Sequence, residues 1–173
     1  MTRTANRGRP PASSREMLQE AAFELFLENS YAGTSIDQIT QRAGVSRNTF
    51  FNYFAGKSDV FWVDLDETLG ELAAQLRRTA PDTPVMRAVA EAIVSLGRHF
   101  GPSRVPFALT QYQLIGSMHE LQASALVRFT RQAKVLCDFL SRDDPDRDPL
   151  LARAAAYAAL GATVAAAQTW AAA

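Results

Sequence analysis

Apolar side chains recur three and four residues apart through nearly the whole chain, and no stretch keeps the two-residue alternation of a half-buried strand. Leu18, Ala22, Leu25 and Phe26 mark the inner face of a first helix that starts near Ser14, while Glu16, Glu20, Glu24 and Glu28 form an exposed acidic ridge on another face. Ile36, Ile39 and Ala43 predict a short second helix. A third runs roughly from Arg47 to Tyr53, with Phe50, Phe51 and Phe54 facing inward. Downstream, Phe61, Leu65, Leu69, Leu72 and Leu76 predict one long helix from Lys57 to about Thr79, broken by Pro81 and Pro84. Further helices are predicted over about Val85–Phe100, Phe107–Ile115, Met118–Leu140 and from Leu150 to the end, with GPSRVP and the polar RDDPDRDP turn between them. The expected fold class is all-α.

Local signals sharpen the region from Thr34 to Lys57. Ser35 precedes Gln38 by three residues, the spacing of a capping box. Gly44 is placed to end the second helix, because glycine enters the left-handed region without steric penalty. Val45 plugs the angle between the helices, and Ser46 caps the third. Two short helices joined by a sharp turn make a helix-turn-helix, whose second helix enters the DNA major groove. Arg47, Asn48, Thr49 and Asn52 fall on the outer side of that helix. Arginine pairs with guanine, asparagine with adenine, and threonine touches the thymine methyl, so these four are the candidates for base edges. No acidic residue occurs from Thr40 to Ser58, which suits an approach to a polyanion.

Composition narrows the picture further. With 173 residues, 47% hydrophobic and 21% charged, the chain can bury a core of one or two compact units. Net charge is zero and the pI is near 6.7, so any DNA affinity must come from local charge. Residues 1–13 are predicted to be a disordered basic arm; Arg3, Arg7, Arg9 and the adjacent Arg15 have no acid among them. The arm either enters a minor groove or is a plain solvated tail. Cys137 is the sole cysteine, which excludes a disulfide framework, and it reads as a small buried residue. The N-terminus lacks the apolar stretch of a secretory signal, so the cytoplasm is the expected compartment. Ala154–Ala173 carries no charge and has the length of a bilayer span, but it is mostly alanine and is expected to be a packed helix rather than a membrane segment.

Residues 14–60 resemble the DNA-binding domain of TetR family transcriptional regulators. The likeness lies in SREMLQEAAFELFLENS, YAGTSI and DQITQRAGVSRNTFFNYFAGKSDV. The resemblance implies a helix-turn-helix domain over 14–56 and a helical effector-binding and dimerisation domain over 57–173. It also implies that Lys57, Tyr53 and the Thr34/Ser35 pair hold DNA phosphates, and Ser46 joins this candidate set. The family often has tyrosine where this chain has Phe51, which cannot donate to a phosphate and is expected to pack. FFNYFAGKSDVFWVDLDE and the layout after it are similar to the mycofactocin-regulator branch, which implies an acyl-CoA-like small-molecule effector. The implied partners are a double-stranded, near-palindromic DNA operator and a second copy of the chain, with no membrane.

Phe61, Trp62, Leu65, Phe100, Phe107, Tyr112, Gln113, Met118 and Phe129 are the pocket candidates, because apolar walls with a few polar groups make up most small-molecule sites. Aromatic residues at helical spacing also make ordinary core. Ala155, Ala158, Ala159, Ala162, Ala165 and Ala166 let two final helices approach closely in a homodimer. Relatives commonly carry one more helix, so the dimer interface is expected to be smaller than usual if the chain is complete and weak if it is truncated. The segment after Lys57 joins the two regions and is the expected lever between them. No nucleophile–base pair, phosphate loop, catalytic site or metal-ligand spacing appears, so no cofactor is expected; a ligand-responsive repressor is the leading expectation, with an architectural DNA binder without effector, or a helical enzyme or acyl/lipid-binding protein, as alternatives. Asp64 and Asp66, two apart, point to different sides of their helix.

Overall fold

The computed structural model describes residues 14–80, 82–101, 105–111, 113–114, 118–142 and 148–172. Every regular element among them is helical. They divide into two compact units, one ending at Val60 and the other beginning at Phe61. The basic arm of residues 1–13, most of the RDDPDRDP turn and Tyr112 lie outside the described residues.

The first unit is built from α1 (Ser14–Gly33), α2 (Ile36–Ala43) and α3 (Arg47–Tyr53). Leu18, Ala22, Leu25 and Phe26 of α1 are buried as their spacing requires, with Ala21 and Tyr31 beside them. Helical geometry lapses at Ser30 (φ 64°, ψ 164°), where the Oγ accepts from the Gly33 amide at 3.3 Å. The turn between α2 and α3 is a Schellman arrangement. Gly44 sits at φ 68°, its amide donates to Gln41 O at 3.2 Å, and the Val45 amide donates to Thr40 O at 3.0 Å. The acidic ridge is only partly solvated, since Glu24 and Glu28 both accept from Arg42 of α2. That pairing holds the Glu28 carboxyl below its ordinary pKa, chiefly through the Arg42 hydrogen bond.

The expected single helix over Lys57–Thr79 is interrupted. A 3₁₀ turn covers Lys57–Trp62, α4 covers Val63–Gly70, and α5 (Leu72–Arg77) begins after a tight turn at Glu71. Asp59 caps the start: its carboxylate accepts the amides of Ala55 and Gly56 at 3.0 and 3.2 Å, which have no intrahelical acceptor. The apolar stripe divides accordingly: Phe61, Leu72 and Leu76 are buried, but Leu65 and Leu69 are half-buried. Further helices of the second unit include α6 (Val85–Gly97), the single turn α7 (Phe107–Thr110), α8 (His119–Leu140) and α9 (Pro149–Ala171). Asp148 caps α9 by accepting the Leu150 amide at 2.8 Å. Leu72, Leu76, Val89, Leu96, Leu136, Leu140, Ala156 and Leu160 meet in one core, and Cys137 packs half-buried against it.

α9 is long and apolar enough to cross a membrane by length and composition, yet only 17% of its most apolar stretch is buried. Ala152, Ala156 and Leu160 face the core, while Tyr157, Gly161, Ala162, Val164, Ala165 and Trp170 are exposed. The helix therefore packs along one side and leaves an apolar opposite side uncovered.

Candidate nucleic-acid interface

Capping and aromatic anchoring present α3. Ser46 Oγ accepts the Thr49 amide at 3.1 Å and shares a hydrogen bond with the Thr49 hydroxyl at 2.8 Å. Phe50 (0% exposed) and Phe54 (4%) hold the helix from behind, with ring centroids 5.2 Å apart. Asn48 and Asn52, one turn apart, are exposed and have no side-chain hydrogen bond to any described residue. The same holds for the hydroxyl of Tyr53, whose residue is 47% exposed. Phe51 departs from expectation. It is 46% exposed and meets Phe50 edge-on at 5.5 Å rather than entering the core. At 100° per residue, a stripe defined by Phe50 and Phe54 turns Phe51 toward solvent.

The positively charged and hydroxyl groups are less free than the sequence suggests. Arg47 Nη1 donates to Asp37 Oδ1 of α2, and its guanidinium lies 5.6 Å from the Phe51 ring centroid. Lys57 Nζ donates to Tyr31 O at 2.7 Å and Thr34 O at 2.8 Å, and sits 4.1 Å from the centre of the Tyr31 ring. Lys57, the expected phosphate lysine, thus bridges the end of α1 and the entry to α2 through the carbonyls of two buried residues. Thr34 corrects a second expectation. It is 2% exposed, and its hydroxyl donates to Leu25 O (3.1 Å) and Ser30 O (2.8 Å), so it ties α1 together rather than facing DNA. Ser35 is exposed and completes the capping box, accepting the Gln38 amide at 3.2 Å while Gln38 Oε1 accepts the Ser35 amide at 2.8 Å.

The eight described pocket candidates are not gathered around one cavity. Phe61 is buried against Phe107 with centroids 5.1 Å apart. Trp62 is buried, with the Arg128 guanidinium 5.0 Å from its ring centre. Arg128 is held in turn by Asp66 at 2.7 and 2.8 Å and by Ser124 Oγ at 2.6 Å. Phe129 stacks on Tyr157 at 5.5 Å, and Leu65, Phe100 and Met118 are half-buried. Gln113 alone among the described candidates lines an open cleft of about 580 Å³, together with Leu109, Thr110, Gln111, Leu114, Ala171 and Ala172. Phe61 with Phe107, Phe129 with Tyr157 and Trp62 with Arg128 thus form three separate contacts. Trp62 Nε1 is a buried donor without an acceptor among the described residues. No cluster of His, Cys, Asp and Glu able to hold a metal occurs among them.

Asp37, Tyr31 and Arg128 contribute without a signal in the sequence. Each acts on a residue ten or more positions away, where no helical periodicity links the two.

Comparison with known proteins matches the arrangement. Residues 18–61 fit the profile of bacterial regulatory proteins of the tetR family, and residues 83–173 fit the MftR C-terminal domain. The chain is 24% identical over 164 residues to a mycofactocin biosynthesis transcriptional regulator, MftR, of Mycobacterium tuberculosis, covering 94% of this chain and 82% of that protein. It is 27% identical over 143 residues to the HTH-type transcriptional activator FasR of Mycolicibacterium smegmatis, covering 78% and 62%. A tetR-type regulator structure from Streptomyces avermitilis superposes with a TM-score of 0.48 at 22% identity, over 92% of this chain and 88% of that one. With the second profile spanning more than half of the sequence and the first covering the helix-turn-helix, the chain belongs to the TetR family of DNA-binding transcriptional regulators.

Proposed function

We propose that this regulator is a ligand-responsive repressor, acting in the cytoplasm as a homodimer on a near-palindromic operator with α3 in the major groove. The observation that carries the reading is the outer side of α3, where Asn48 and Asn52 stand exposed and uncommitted on a helix anchored by Phe50 and Phe54. A twofold dimer sets two such helices about one turn of DNA apart. The uncovered apolar side of α9, with Tyr157, Val164 and Trp170 among its exposed residues, supports self-association through that helix. An effector that binds better to a state with different spacing of the reading heads must lower operator affinity by linkage. The unsatisfied Trp62 Nε1 supports a ligand acceptor in the second unit, and an acyl-CoA-like compound is the class implied by the resemblance of FFNYFAGKSDVFWVDLDE to the mycofactocin-regulator branch.

The test begins with duplexes selected from a random pool. Asn48→Ala and Asn52→Ala each remove an amide that can bond a base edge twice. Either change is expected to weaken binding to the selected site by roughly tenfold and to leave scrambled DNA unchanged. Equal losses on both DNAs would count against the reading. A panel of acyl-CoAs is expected to quench Trp62 fluorescence and release operator DNA. A second reading, a DNA binder without effector, draws on the packing of Phe61 against Phe107 and of Arg128 over Trp62; it is favoured if no ligand shifts operator affinity.

A further inference from the structure

We propose that Asp37 is a specificity-determining positioning residue, which sets the pose in which Arg47 meets a guanine without itself touching a base. The inference rests on the proposed role of α3 as the base-reading helix. Arg47 opens α3, and Asp37 stands in the first turn of α2, ten residues earlier. Two contacts from different directions hold the guanidinium. Asp37 Oδ1 accepts from Nη1 at its edge, and the Phe51 ring lies 5.6 Å from its carbon at its face. An arginine side chain is otherwise among the most freely rotating, so both contacts lower the entropy lost when it docks.

The hydrogen bonds of the guanidinium support the same conclusion. Nη1 is engaged with Asp37, while Nε and Nη2 have no acceptor among the described residues. Those two N–H groups point along one edge of the planar fork and match the O6 and N7 acceptors of guanine. Stability does not explain the pair, because its side chains are 56% and 70% exposed and exposed ion pairs contribute little. Affinity does not explain it either, since a carboxylate next to DNA repels phosphate. Orientation explains both the partner and its exposure. It also gives a use for the outward turn of Phe51, which neither packs in the core nor donates to phosphate.

The experiment compares wild type, Arg47→Ala, Asp37→Ala and Asp37→Asn by selection from a random duplex pool and competitive binding of single-base variants. Wild type is expected to prefer guanine at one position of each half-site on the order of ten- to a hundredfold, the range of a bidentate contact. Arg47→Ala and Asp37→Ala should both reduce that preference to about threefold or less at the same position. Asp37→Ala should still bind scrambled DNA at least as tightly as wild type, because a repelling charge is gone. Asp37→Asn keeps a carbonyl acceptor and should recover part of the preference. If Asp37→Ala keeps the full preference while Arg47→Ala loses it, the positioning role is overturned and base reading stands. If Arg47→Ala changes no preference, or wild type has none, base reading by Arg47 fails and the positioning role falls with it.

Discussion

Replacing Lys57 with methionine separates an internal clamp from a DNA contact. The substitution keeps most of the aliphatic stem and removes the ammonium group. The structure shows what disappears with it: two donated hydrogen bonds, at 2.7 Å to Tyr31 O and 2.8 Å to Thr34 O, and a cation 4.1 Å from the Tyr31 ring centre. Hydrogen bonds from a charged donor contribute about 1.5–3 kcal/mol each. Lys57 is only half-buried, so water can replace it at the carbonyls, and about 1 kcal/mol per bond is the fairer value. The aromatic contact adds roughly 0.5–1 kcal/mol. Lys57→Met should therefore lose about 2–3 kcal/mol, which moves the urea midpoint down by roughly 1 M or more for ordinary slopes. Far-UV circular dichroism during urea titration measures this. An unchanged midpoint, combined with a salt dependence of DNA binding reduced by about one phosphate contact, would refute the clamp and restore the lysine to the DNA surface.

Three other outcomes follow from the first unit. Gly44→Ala should cost about 1–2 kcal/mol in urea unfolding, because φ 68° strains an L-residue although no atom lies within 4 Å of the added Cβ. Ser30→Gly should stabilise by about 0.5–1 kcal/mol, since relief at φ 64° outweighs an exposed 3.3 Å hydrogen bond to the Gly33 amide; a loss of stability by the same assay would refute this. The depressed Glu28 pKa makes the Arg42 contact a source of stability that is present above the unfolded carboxyl pKa and lost as pH falls through the lower folded value. In Arg42→Ala the Glu28 carboxyl resonance should titrate at its ordinary pKa, and the stability gap between variant and wild type should shrink in acid. A gap that persists in acid would show that the contact acts through packing.

How much of the interface was legible in advance depends on the range of the signal. The capping box at Ser35–Gln38, the glycine stop at Gly44 and the span Arg47–Tyr53 all appear in the structure where the sequence placed them. Each depends on residues within a few positions, and short-range backbone geometry is nearly independent of the rest of the fold. The all-α class was legible for the same reason, through periodicity. The interruptions after Trp62 and at Glu71 were not, because the apolar stripe from Phe61 to Leu76 keeps helical spacing across both.

Partner choice among side chains had to await the folded chain. Arg47, Lys57 and Thr34 read as DNA-facing groups from residue type and resemblance, yet Asp37, the carbonyls of Tyr31 and Thr34, and the carbonyls of Leu25 and Ser30 claim them. Among the pocket candidates, Phe61 meets Phe107 and Trp62 meets Arg128, pairings that residue type alone does not announce. A hydrogen bond between residues 26 positions apart exists only once three helices have docked. Helix positions thus follow from nearest neighbours along the chain, whereas the occupancy of each donor is settled by the groups that docking brings within about 3 Å.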